Sequence, residues 1–373
     1  MYARQTHVGA DEFVKGTNIK PERLNKLFMH LFQRTNEFLD LMERKNQPGE
    51  GYRYLFQAYA RLGVEKSVQN KEFKKAYKVL EKPPIQHENQ HLKYHISHQF
   101  HLDHIYVERR SIPVHIVENQ HLLDQYYVGG RLKYLCATRN MEWVFNLPRQ
   151  PLNEAEIVAI YKHPDFAPNT VSTAYFLVLH LFSNPSDILT QLDEINLYLR
   201  ENDDAIPFND RQDLWGYVLN YCMFHLSKKG ERFEAIADEV YVHLYEKGLI
   251  LDEGKLSSFH FTNMVKIRLD NGAFEWIAAL LEDIDRDSII DVWGSAVEYA
   301  WALYHYHSGD FPRAVSAFKA LLSDPPTDIF YNLELRTMLL KSFFANRQQL
   351  QAAERDEMEA LTEAFRMLLI LHY

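Results

Sequence analysis

The chain contains one literal His-Glu-x-x-His, at His87-Glu88-Asn89-Gln90-His91. On a helix, histidines four residues apart face the same way and can chelate zinc. The glutamate between them then serves as general base toward a metal-bound water. A third ligand is required, and Glu118, Glu108, His95 and His98 are the nominees that the neighbouring sequence offers. Four features weigh against a peptidase. Histidine is so frequent across residues 87–121 that the pattern arises easily by composition. The pattern follows Pro83-Pro84 at a helix start instead of lying mid-helix among apolar neighbours. Its inner residues are Asn and Gln, and no edge strand for a substrate accompanies it.

A second pattern is the duplicated Glu-Asn-Gln-His, at Glu88–His91 and Glu118–His121. Glu-x-x-His on each of two helices is half of a carboxylate-bridged di-iron site. The other half would need two inward glutamates, for which Glu37 and Glu43 are nominal candidates. A plainer reading also fits. His87, His91, His95 and His98 advance by four, four and three, with His101 near the edge, and so form one polar helical stripe. Such a stripe is expected to be a solvated face or a hydrogen-bonded helix contact. Metal binding and pH-sensitive packing are its other uses, because imidazole titrates near neutrality. The candidate metal ligands are thus His87, Glu88, His91, Glu118 and His121. No metal, cofactor or catalytic residue is assigned.

Other reaction chemistry finds no footing. There is no Gly-rich phosphate loop, no Gly-x-Ser-x-Gly elbow and no convincing Cys-His pairing. The 373 residues are 46% hydrophobic and 25% charged, the balance of a folded chain. A net charge of −10 lacks the footprint of a nucleic-acid binder. The locally basic Lys71–Lys78 alternates with apolar residues, as a solvated helix face does. Two cysteines, Cys136 and Cys222, stand in unrelated contexts and fit a reducing compartment. The first residues lack the apolar core of a signal peptide, and the longest apolar stretch, Ala174–Phe182, is too short to span a bilayer. The expectation is a cytoplasmic protein that binds neither membrane nor nucleic acid.

The elements that would position these residues are helical. Only 14 Gly and 14 Pro punctuate the chain, which favours long helices with short connections. Leu24, Leu27, Phe28, Leu31, Phe32, Phe38, Leu39 and Met42 make one long amphipathic helix, entered at Pro21 and ended before Pro48-Gly49. Helices follow at 52–62 and 70–81, and a His-rich helix is expected over 88–110, broken by Pro113. Two stretches, 114–128 and 131–145, are read as separate helices divided by Gly129-Gly130. Further helices follow Asn169, Ser186 or Asp187, Asp210 and Gly230. No alternating segment is long enough to read as a sheet.

A repeat emerges near the end. Gly272-Ala-Phe274-Glu-Trp-Ile277 matches Gly309-Asp-Phe311-Pro-Arg-Ala314, each continuing to an apolar residue four later, Leu281 and Phe318. The offset of about 37 residues lies in the range of helix-pair repeats. Gly supplies the left-handed turn that ends the first helix, Phe opens the second, and a small residue such as Ala314 permits close approach. One pair cannot bury its apolar face alone, so pairs must stack. The aromatic residues of Trp293–Tyr306 lie at helical spacing and suit core packing, with a ligand-facing groove as the alternative.

Residues 295–328 resemble one tetratricopeptide repeat, with Ala302, Gly309, Ala314, Phe318 and Pro326 at that family's spacing. His305 stands where Tyr is usual and Trp301 where Leu is usual. The stretch from Phe259 to Tyr373 also resembles divergent, uncharacterised helical-repeat proteins of Bacteroidetes, with Lys93–Leu147 compatible with their middle region. The resemblance implies an all-α fold: an α-α superhelix of antiparallel helix pairs over residues 21–373, clearest at 255–373, after an irregular segment 1–20. It also implies a non-catalytic scaffold or adaptor that holds a protein or peptide partner in a concave groove. The alternative is a metal-binding protein or metal-dependent enzyme at the His-rich region 87–121.

Overall fold

The computed structural model describes residues 21–46, 48–84, 87–102, 114–183, 187–229, 231–290, 294–324 and 329–372. The expected irregular segment 1–20 lies outside them, as do Glu108, Trp293 and Pro326. The described residues are all-α apart from three very short strands. The helices are α1 Pro21–Asn46, α2 Pro48–Leu62, α3 Lys66–Leu80, α4 His87–Leu102, α5 Val114–Val144, α6 Glu154–Tyr161, α7 Thr170–Phe182 and α8 Ile188–Glu201. They continue as α9 Phe208–Lys229, α10 Glu231–Glu246, α11 Ser258–Asp270, α12 Phe274–Asp283, α13 Ala296–His307, α14 Phe311–Leu322, α15 Ile329–Ala345 and α16 Ala352–His372. Contacts divide the chain into two compact units, Met1–Arg131 with Ile157–Asn169, and Leu132–Glu156 with Thr170–Tyr373.

In the first unit, α2, α3 and α4 share one core. Phe56, Ala76, Leu80, Leu92, Ile96 and Phe100 are buried there. Phe73 stacks on Phe100 at 4.3 Å, and Phe56 meets both rings edge-on. Aromatic pairs of this geometry add about 0.5–1.5 kcal/mol each beyond their buried area. α1 forms where its periodicity demands, yet its apolar stripe stays largely open, with Met29 70% and Phe32 65% exposed.

The expectation of two helices divided by Gly129-Gly130 is corrected: α5 runs unbroken through both glycines. Their use is a close approach rather than a break. A Cβ on Gly129 would lie 3.2 Å from His87 Nδ1, and one on Gly130 would lie 3.0 Å from His87 Nε2. The missing side chains let the His87 ring seat against the α5 backbone, which offsets a helix-propensity cost of about 1 kcal/mol per glycine.

In the second unit the helices pack in sequence-adjacent pairs. α9 packs on α10, α13 on α14, and α7 on α8, and α11 also packs on α13. Two of the turns share one geometry. At the end of α11, Gly272 N–H donates to Leu269 O and Ala273 N–H to Arg268 O. At the end of α13, Gly309 N–H donates to Tyr306 O and Asp310 N–H to His305 O. Both are Schellman motifs, with the glycines at φ 76° and 82°. The repeat seen in the sequence is therefore a repeat of turn geometry. Ala302, Ala314 and Phe318 are fully buried beneath it. Replacing Gly309 with Ala is expected to cost about 1–2 kcal/mol, the penalty of left-handed backbone for an L-residue. Thermal unfolding measures this, and an unchanged midpoint would count against the turn's importance.

The reading without a sheet also needs a small correction. β1 Leu251–Asp252 and β2 Lys255–Ser257 pair antiparallel, and β3 Ile289–Ile290 joins β2 in parallel. The hairpin turns through Glu253 and Gly254, both at positive φ, as a two-residue loop of that type requires. Strands of two or three residues carry too little alternation to be read from periodicity.

Candidate functional site

The His-rich helix α4 carries the imidazoles of the His-Glu-x-x-His pattern and its stripe. His87 stacks on Tyr126 of α5, with ring centres 4.6 Å apart and 16° between planes. His91 stacks on the same Tyr126 ring at 4.6 Å. His87 and His91 are thus each held face-on by an aromatic ring. Glu88 points to solvent. The partner that His91 does find is His95, with the two Nε2 atoms 2.8 Å apart. Burial lowers the His95 pKa, and the fields of His91, Arg53 and His98 lower it further, while Glu50 opposes them. His98 is exposed and stacks on Tyr94. His101 donates from Nδ1 to Ser97 O at 2.7 Å and packs against Phe73 and Phe100.

The second Glu-Asn-Gln-His takes a different setting. Glu118 is exposed on α5. His121 lines a groove of about 800 Å³ with Asp124 on its own helix and Ile160, His163, Asp165 and Phe166 at the end of α6. His163 Nδ1 accepts from the Asp165 backbone N–H at 3.3 Å. Glu37 is exposed on α1 and pairs with Arg34 at 2.8 Å, and the Glu43 side chain lies outside the described residues. Among the described residues, no three His, Cys, Asp or Glu side chains are arranged to hold a metal ion.

A groove that the sequence did not advertise lies in the second unit. It holds about 630 Å³ between α9, the β1–β2 hairpin and the start of α11, and is lined by Phe208, Gln212, Gly216, Asn220, Asp252 and His260. Gln212, Gly216 and Asn220 are four residues apart and form one stripe of α9. Gly216 makes the hollow: a Cβ there would meet nothing within 4 Å. The amides are held in place. Gln212 Nε2 donates to Leu249 O at 2.8 Å, and Asn220 Nδ2 donates to Asn140 Oδ1 at 3.0 Å. Burial lowers the His260 pKa, which keeps its imidazole neutral at pH 7. The available signal was a lone glycine inside an otherwise uninterrupted helical pattern.

Buried polar networks also escaped the sequence reading, because their partners are distant along the chain. Asp210 accepts from Tyr175 Oη at 2.7 Å and from Lys133 Nζ at 2.8 Å. Burial and the neighbouring Asp210 carboxylate push the Tyr175 phenol far above its ordinary range, so it acts as a neutral donor. Asp203 gathers Arg211 at 2.9 Å, His243 at 3.5 Å and Lys247 at 3.6 Å. The charges of these clusters are paired within the fold. No protein-family model matches the chain, and no match is found among curated proteins.

Proposed function

We propose that this chain is a non-catalytic adaptor that holds a peptide segment of a protein partner in the groove between α9 and α11. In this reading the helix pairs belong to one α-α superhelix of tetratricopeptide-like type, and the groove lies on its concave side. The observation that carries the proposal is Gly216. A helix-interior glycine costs about 0.5–1 kcal/mol relative to alanine, and here no packing contact requires it. Open space between two anchored amides is what an extended peptide backbone would use. Phe208, 46% exposed at the start of α9, offers an apolar contact beside it. Stacked helix pairs also present much surface and few reactive constellations. The buried, unbridged Cys136 and Cys222 agree with a reducing, cytoplasmic setting. Among the described residues, no helix is long and apolar enough to cross a membrane.

Gly216 supplies its own test. Gly216→Ala is expected to raise stability by about 0.5–1 kcal/mol. Gly216→Leu should fill the groove while leaving the fold intact. A random peptide library displayed on phage should yield sequences that bind the wild-type chain and not Gly216→Leu. Peptides that bind both equally, or no enrichment on the wild type, would remove the groove reading.

A further inference from the structure

We propose that His91 and His95, one turn apart on α4, form a two-histidine chelate for a divalent first-row transition-metal ion, with copper(II) held most tightly. The sequence pattern pointed to His87 with His91, but the geometry favours the next pair along. The His91 and His95 Nε2 atoms are 2.8 Å apart. Their ring centres are 4.2 Å apart and the planes are nearly perpendicular, at 84°. Two imidazoles bound cis to one ion, with metal–nitrogen bonds of about 2.0–2.1 Å, place their nitrogens about 2.9 Å and their ring centres about 4.5 Å apart. The pair therefore already has the spacing of a chelate. An ion entering between the nitrogens would draw the two Nε2 lone pairs toward itself by rotation of the rings.

The surroundings support the same pair. His91 is held by its stack on Tyr126, and His95 lies between His91 and Tyr94. His87 is committed elsewhere, against Tyr126 and the Gly129-Gly130 backbone. In the empty pair, one Nε2 carries the proton that the other accepts. When both Nε2 lone pairs bind an ion, that proton moves to Nδ1 of the same ring, so two neutral imidazoles coordinate and none is lost. Among the described residues no third His, Cys, Asp or Glu joins them, and water is the ligand proposed to complete the shell. Two imidazoles with water suit the tetragonal preference of copper(II) or nickel(II) better than zinc, whose structural sites take four protein ligands. The order of affinity across divalent ions favours copper(II) as well.

The test is a copper(II) titration of the full, tag-free chain, followed by calorimetry and electron paramagnetic resonance. The first equivalent should bind saturably and show nitrogen splitting from two imidazoles. His91→Ala and His95→Ala should each weaken that equivalent at least about tenfold, while His87→Ala and His98→Ala leave it in place. Circular dichroism on each variant separates loss of the site from loss of the fold. The wild-type spectrum needs no variant at all: a first equivalent without two-imidazole splitting would overturn the proposal. So would binding that survives both His91→Ala and His95→Ala, or binding lost on folded His87→Ala.

Discussion

Replacing Arg139 by Met is expected to destabilise the second unit by about 3–5 kcal/mol, the cost of breaking a buried ion pair and stranding its partners. Arg139 is 2% exposed and Glu142 is 7% exposed. The guanidinium donates from Nη1 to both Glu142 oxygens, at 2.9 and 2.7 Å, and from Nε to Glu154 Oε2 at 2.9 Å. Glu142 also accepts from the Gln150 backbone N–H at 2.6 Å, and Glu154 accepts from Ser183 Oγ at 3.2 Å. One planar cation thus ties the last turns of α5, the following loop, the first residue of α6 and the end of α7. Lysine cannot replace this fork, so Arg139→Lys should recover only part of the loss. Burial pushes the Glu142 carboxyl up, but the Gln150 N–H and Arg139 outweigh it, and the net pKa is lowered. A lowered carboxylate pKa means that the stabilisation is complete above the unfolded-state pKa. It is lost as pH falls through the folded-state value. The gap between wild type and Arg139→Met should therefore hold from pH 7 down to the ordinary carboxylate value of 4.5 and narrow as pH falls below it. Denaturant unfolding across that range measures it, and a gap independent of pH would contradict the assignment.

Phe318→Ala is expected to cost about 3–5 kcal/mol, and where the damage spreads tests the superhelix. Phe318 is fully buried on α14 and meets Tyr299 of α13 edge-on, with ring centres 6.0 Å apart. In a stack, each helix pair contacts only its neighbours, so stability is a sum of local and nearest-neighbour terms. Hydrogen exchange should then accelerate in α13, α14 and α15 while α7 to α10 keep their protection. A uniform loss across the second unit would mean one cooperative globule and would sink the repeat-stack proposal. Gly309→Ala should act in the same region with a smaller amplitude.

How much was legible depended on the range of the interaction that decides it. The glycines of the repeat could be read because a left-handed residue two positions before an aromatic is a local code. The same residue type misled at Gly129-Gly130. There the glycines answer to His87, more than forty residues earlier, and nothing in the adjacent sequence records that ring. The histidine stripe was visible as a stripe. Its pairings were not, because Tyr126 enters from another helix and decides which rings are held by stacking. Gly216 carries no local code for a related reason: a hollow is defined by what surrounds it, and α11 and the hairpin arrive later in the chain.

By itself the sequence determined that this protein is built from helices, where several of them begin, and that two turns near the C-terminal end share one pattern. These follow from hydrophobic period, capping side chains and the backbone freedom of glycine, all of which act within a few residues. Only the tertiary structure decided that α5 is continuous, that Arg139 is the buried cation of a clasp and that the apolar stripe of α1 stays open. It also decided that His95, rather than His87, is the close partner of His91. Each of these depends on side chains brought together from separate elements, and packing selects among several arrangements that the local chemistry leaves equally acceptable.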